Sequence, residues 1–190
     1  MVDEGVTWAH VYRIPAFNVD SDDARRMNQA IYDRLKPCVD EALEMLQSGG
    51  LPVTSSINYE VYQNGSIVSV VVLVHPDWPQ PTYFVMNLDT STGREVSRAE
   101  LLAGKGFTEE SFLAAARRAV MPLLEERWAD YGSEEYAEQK QRAYAETTSD
   151  ANFDNRLKLF YNASGTLCMI TDIYQPAGAD RTETVIAVNP

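Results

Sequence analysis

The residues able to do chemistry in this chain are few and scattered. Its two histidines, His10 and His75, lie far apart, and neither belongs to a pair spaced to hold a metal. Each reads as a structural or surface histidine. Cys38 and Cys168 are the two thiols. A Cys–His nucleophile needs one of them to meet a histidine in space, and the run Thr166-Leu167-Cys168-Met169-Ile170 is that of an apolar core strand. Adjacent carboxylates recur as Glu109-Glu110, Glu125-Glu126 and Glu134-Glu135. Glycoside hydrolysis needs two carboxyls facing one cleft, one of them desolvated; these pairs fall on helices whose other side is apolar and read as solvated faces. Gly104-Lys105-Gly106 precedes a helix start but lacks the glycine spacing of a phosphate-cradling loop. Asp89-Thr90-Ser91-Thr92-Gly93 resembles an aspartic-protease signature only with Ser-Thr inserted, and reads as a strand-ending turn. Asn162-Ala163-Ser164 has the letters of a glycosylation sequon, which a β-turn explains more cheaply. The sequence nominates no catalytic residue, no metal ligand and no cofactor.

Two stretches remain as candidate binding surfaces. His75-Pro76-Asp77-Trp78-Pro79-Gln80-Pro81 is stiffened by its prolines, and a stiff loop loses little entropy on docking. Asp77 and Trp78 are its candidate contact residues, although Trp78 folded back as a lid over a sheet edge fits the same letters. Glu125 to Glu138 (EERWADYGSEEYAE) is a second acidic and aromatic surface, with Glu134 and Glu135 as candidates.

The elements that must position these residues are organised around Ser55–Gly93. Ile57, Tyr59, Val61 and Gln63 alternate with Asn58, Glu60 and Tyr62, the period-2 pattern of a strand with one buried face. Asn64-Gly65 suits a type I′ hairpin turn. Ile67 to Val74 is almost purely β-branched and is expected to be buried on both faces. Thr82 to Leu88 completes a three-stranded meander. Before it, Val6 to Ile14 reads as a strand. Ser21-Asp22-Asp23 then caps a helix whose apolar stripe, Ala24, Met27, Ile31, Leu35, Cys38, Ala42 and Leu46, runs to about Gln47. After it come a short helix opened by Ser97-Arg98-Ala99-Glu100, a long one from Thr108 through Trp128, and a polar one over Glu134–Tyr144. Prolines lie inside the two long helices: Pro37 is expected to kink or split the first, and Pro122 to kink the second. Thr147 to Asn155 reads as a loop. Strands at Arg156–Tyr161, Thr166–Tyr174 and Glu183–Val188 close the chain. This order predicts an α+β fold, an antiparallel sheet of about six strands with two long helices packed on one face. Residues 1–190 are expected to form a single domain with a peripheral helical segment at about 109–146.

Composition narrows the function classes. With 190 residues, 45% of them hydrophobic, the chain can bury a substantial core. A formal charge of −12 opposes nucleic-acid binding, which needs clustered cations, and opposes attraction to anionic lipid. It permits a cationic partner, and equally it keeps a protein soluble. Two cysteines are too few for a disulfide scaffold or a structural zinc site; one bridge closing a long loop and two buried thiols both remain, the thiols preferred. MVDEGVTWAH has neither the basic start nor the apolar run of an export signal, and no apolar run approaches the ~20 residues of a membrane span.

Several short motifs also carry a resemblance. NYEVYQNGSIVSVVV follows a long helix, then come YFVMNLDTSTG and AELLAGKG, and LKLFYNASGTLCMITDIYQPAGAD stands near the end. Together they resemble the extracytoplasmic domain of RsiV-type anti-sigma factors and the similar domain preceding the catalytic part of PdaC-type peptidoglycan deacetylases. The likeness spans most of residues 10–190. It implies a non-catalytic α+β module of a bacterial cell envelope, exported or lipid-anchored in full-length form, that binds or senses a basic protein such as lysozyme or cell-wall glycan. The chain shows no transmembrane, sigma-binding or deacetylase segment, so neither regulation nor deacetylation carries over. The family's partner-contacting residues lie outside these motifs, and none is transferred. A carboxylate-based hydrolase and a ligand-free accessory domain of an envelope lipoprotein are the alternatives.

Overall fold

The computed structural model describes residues 11–50, 54–76, 81–155, 158–176 and 181–190. Helix α1 (Asp22–Gln47) begins where the letters place it: the Ser21 hydroxyl accepts from the Ala24 N–H at 3.1 Å, a cap worth about 1 kcal/mol. Its stripe is buried at Ala24, Met27, Ile31, Leu35 and Ala42, while Cys38 is half-buried and Leu46 exposed. Pro37 does not split the helix, and Pro122 does not split the later α3 (Glu109–Arg127).

The stripe lies on a five-stranded sheet ordered β1-β2-β3-β4-β5. Strands β2 (Thr54–Asn64), β3 (Ile67–Pro76) and β4 (Thr82–Asp89) form the expected antiparallel meander. Two short edges flank it, β1 (Val11–Tyr12) parallel to β2 and β5 (Arg94–Glu95) antiparallel to β4. The hairpin turn falls one residue later than its letters suggest. Asn64 pairs with Ile67, so Gly65 and Ser66 are the central residues, and Gly65 takes the left-handed φ of +62° that glycine tolerates. After β4, the Asp89 carboxylate accepts from the Ser91 N–H (2.9 Å) and hydroxyl (2.7 Å). These bonds, with one from the Ser66 hydroxyl, hold Asp89 far below the usual carboxylate range. Gly93 closes that turn against the α1 cap, where a Cβ would stand 2.7 Å from Ser21 Cβ. Arg26 then ties helix to edge strand, bonding Asp23 at 2.7 Å and Glu95 at 2.6 Å.

The remaining strands, β6 (Lys158–Tyr161), β7 (Leu167–Tyr174) and β8 (Arg181–Ala187), form a separate antiparallel sheet. The fold is α+β, but the expectation of one sheet with both long helices on one face is corrected. Two sheets pack against each other and helices cover the outer face of each. Ile31 and Leu35 of α1 meet Val70, Val72, Phe84 and Leu88 on one side of the first sheet. Val71 on its other side meets Phe160, Cys168 and Ile170 of the second sheet. The far side of the second sheet, Leu159, Met169 and Ile173, lies beneath Phe112, Val120 and Leu124 of α3. The reason is in β3 and β7: Val70, Val71 and Val72 are all buried, and so is every residue from Leu167 to Ile173. Each strand therefore requires cover on both faces, which a single sheet with one wet face cannot supply.

Further differences follow from the same layering. In the helical stretch expected at the periphery, α3 buries Phe112, Ala116, Val120 and Leu124 completely. The stretch read as a polar loop contains helix α5 (Asp150–Asn155), whose Phe153 is fully buried. The polar helix is a 3-10 turn (Glu134–Tyr136) leading into α4 (Ala137–Thr147). Short α2 (Arg98–Ala103) carries the expected capping box between Ser97 and Glu100. On β2, α1 covers Ile57 but leaves Tyr59 and Val61 at 40% and 54% exposure.

One polar pair fixes how the sheets meet. The buried Ser69 hydroxyl donates to Asn87 Oδ1 (2.7 Å), and Asn87 Nδ2 donates to the Leu159 carbonyl (2.9 Å). Ser69 Oγ also accepts from the Tyr161 N–H at 3.4 Å. Strand β6 is the edge of its sheet, so side chains of the other sheet satisfy its outward backbone groups.

Candidate functional site: a cleft between the sheets

Alternation along β2 points Asn58, Glu60 and Tyr62 away from α1, toward the second sheet. By register, Tyr83 joins the row of Asn58 through Leu73 of β3. Phe160 of β6 and Val185 of β8 face them, and Arg13, just past β1, closes one end. The result is a cleft of about 490 Å³, within the ~300–1,000 Å³ of small-molecule sites.

Its walls are aromatic and its polar groups converge. Tyr62 stacks on the buried Phe160, ring centroids 5.3 Å apart and planes within 24°. The Tyr62 hydroxyl donates to Glu60 Oε2, and Arg13 donates to Asn58 Oδ1 at 3.3 Å. The Tyr83 backbone N–H donates to Glu183 Oε2 (2.6 Å), while Glu183 Oε1 accepts from Lys158. Both oxygens of Glu183 are thus occupied by protein groups. Burial raises the Tyr83 phenol above its ordinary value, with the Glu60 and Glu183 charges adding to the effect, so Tyr83 stays a neutral donor and acceptor at neutral pH.

The Glu60–Tyr62 pair makes a testable prediction. Hydrogen bonding to Glu60 first, and burial second, push the Tyr62 phenol up to about 12. A raised phenol stabilises the fold while it is neutral. That contribution is complete below the ordinary phenol value of ~10 and is lost as pH rises through about 12. Glu60→Gln is expected to return Tyr62 toward ordinary titration, followed by NMR of the labelled tyrosine ring carbons. A Tyr62 that titrates with the ordinary phenols before substitution contradicts the pairing.

None of the described residues singled out from the sequence lines this cleft. Asp77 and Trp78 fall outside the described residues, as does His10. Glu134 and Glu135 are exposed on the 3-10 turn. Glu134 borders a shallow depression of about 540 Å³ that it shares with Tyr131, Lys140 and Tyr144, and Glu135 does not line it. Glu109, Glu110, Glu125 and Glu126 are likewise exposed. Cys38 and Cys168 are free, the first in the core under α1 and the second between the sheets, on opposite sides of the first sheet. Burial pushes the Cys168 thiol up, away from the reactive thiolate. Among the described residues no group of His, Cys, Asp and Glu is placed to hold a metal ion, and no helix is long and apolar enough to cross a membrane.

None of the cleft residues stands out in the sequence. Asn58, Glu60 and Tyr62 read as the wet face of a half-buried strand, and only a second sheet behind them turns that face into a wall. The available signal was the unbroken apolar run Val70–Val74 of β3, which demands two covered faces. The architecture defines a class, an α+β sandwich of two helix-covered sheets enclosing an aromatic cleft. No protein-family model and no curated protein matches the chain.

Proposed function

We propose that this chain is a non-catalytic binding or sensing module of a bacterial cell envelope, working outside the cytoplasm. Its ligand is cell-wall glycan or a basic wall-associated protein such as lysozyme. The observation that carries this reading is the inter-sheet cleft, where aromatic rings, an amide, a guanidinium and a carboxylate converge on one space of ligand size. Hydrolysis by paired carboxylates needs two acids free to face the substrate, whereas Glu183 has both oxygens engaged and the adjacent-acid pairs on the helices are solvent-exposed. The motif resemblance to the RsiV-type and PdaC-type envelope domains supports the same class and location. The basic-protein form is favoured separately by the formal charge of −12.

Two assays test it. Co-sedimentation with purified cell walls is expected to deplete the protein saturably and release no soluble sugar. Pull-down with immobilised lysozyme is expected to succeed at low salt and weaken as salt screens the contact. Glu134→Lys with Glu135→Lys should weaken lysozyme capture and leave wall binding unchanged. Recovery of nothing from either assay overturns the proposal, and release of wall fragments replaces it with the hydrolase.

A further inference from the structure

We infer that the cleft between the sheets is a subsite for an uncharged saccharide ring, held by Asn58, Glu60, Tyr62 and Tyr83. This rests on the proposed envelope-binding role and names its ligand chemistry. Arg13 and Glu60 line the same space. A lysine or arginine side chain entering it meets Arg13, and a phosphate or carboxylate meets Glu60. A neutral ligand rich in hydroxyls satisfies both, because it donates to the carboxylate and accepts from the guanidinium.

A sugar ring is polar at its rim and apolar on its C–H faces, so it needs a flat aromatic surface beside hydrogen-bonding groups. The Tyr62 ring is held in orientation by its stack on Phe160, and its hydroxyl is anchored on Glu60 Oε2, so the aromatic surface exists before any ligand arrives. Glu60 keeps its second oxygen for a ligand hydroxyl. Tyr83 adds a neutral phenol in the row of Asn58. The cleft of about 490 Å³ is of a size to admit one or two rings.

The acidic surface around Glu134 lies on α4 and its preceding turn, away from the cleft-lining strands. A basic protein attracted by charge has no need of the cleft, so the two ligand classes are distinguishable by site and by salt dependence.

The test titrates the protein with a soluble oligomer of N-acetylglucosamine while the ring resonances of its tyrosines are followed by NMR. Parallel titrations use a lysine oligopeptide and inorganic phosphate. The saccharide is expected to shift Tyr62 and Tyr83 saturably and with little salt dependence, and the two charged probes to leave them unmoved. Asn58→Ala and Glu60→Gln are each expected to weaken saccharide binding about tenfold, the loss of one good hydrogen bond. Both substitutions replace solvent-accessible polar groups; an unchanged melting temperature for Asn58→Ala shows that its loss is local, whereas Glu60→Gln also weakens the bond that holds the Tyr62 hydroxyl and is expected to lower that temperature slightly. Absence of a saccharide shift, or a shift confined to Tyr131 and Tyr144, overturns the inference. Wall or lysozyme capture that persists in that case leaves the envelope-binding role standing, and its loss as well removes both.

Discussion

Phe153→Ala is expected to destabilise the protein by about 4 kcal/mol and lower its melting temperature by roughly 10 °C. The side chain is fully buried in the core that joins α3 to the second sheet. It belongs to α5, a short helix that cannot persist on its own. Its position is fixed from several sides: the Phe153 carbonyl accepts from Arg98 at 2.9 Å, and Asn152 Nδ2 donates to the Thr147 and Asp172 carbonyls at 2.8 and 3.0 Å. Truncating the ring leaves a cavity that these bonds prevent from collapsing, which places the cost toward the upper part of the usual range. Thermal or denaturant melts measure it. A loss below about 1 kcal/mol means that the segment is the solvent-facing loop its composition suggests.

Asn87→Leu comes second, at about 3 kcal/mol. Leucine fills similar space but takes the donor from the Leu159 carbonyl and the acceptor from the Ser69 hydroxyl in a buried setting. The double substitution Ser69→Ala with Asn87→Leu should cost less than the sum of the two, because it also removes the stranded hydroxyl. Additive losses contradict the network. The effect reaches function as well. The same bonds set β6 against β3 and β4, and Phe160 of β6 is the floor of the cleft on which Tyr62 stacks. The variant is therefore expected to lose ligand binding at temperatures where it is still folded.

The contrast between these two sites and α1 explains what the sequence carries. Local rules place α1 from cap to last turn, because Ser21, two acids and a repeating stripe act over a few residues each. The meander is equally local, and its turn misplaced by one residue reflects a choice between Asn64-Gly65 and Gly65-Ser66 that only the strand register decides. Residues 150–155 fail for the opposite reason. Their helix is held by Arg98 and by β7, partners far along the chain, and by themselves the letters Asp-Ala-Asn-Phe-Asp-Asn favour a turn. The cleft is the extreme case. It exists because two sheets separated in the chain by the helices between β5 and β6 face each other, so Glu60 looks like any solvated acid until Phe160 and Val185 are placed opposite it. Glu134 and Glu135 drew notice through local density of charge, a property of surfaces in general.

Ligand recognition is proposed to occur between the two sheets. The most direct measurement is residue-resolved NMR mapping of the protein with solubilised cell-wall glycan. Perturbations are expected to cluster at Asn58, Glu60, Tyr62, Tyr83 and Val185 and to saturate together with one Kd. Perturbations centred on Glu134 to Tyr144, or none at a glycan excess that saturates wall co-sedimentation, contradict it.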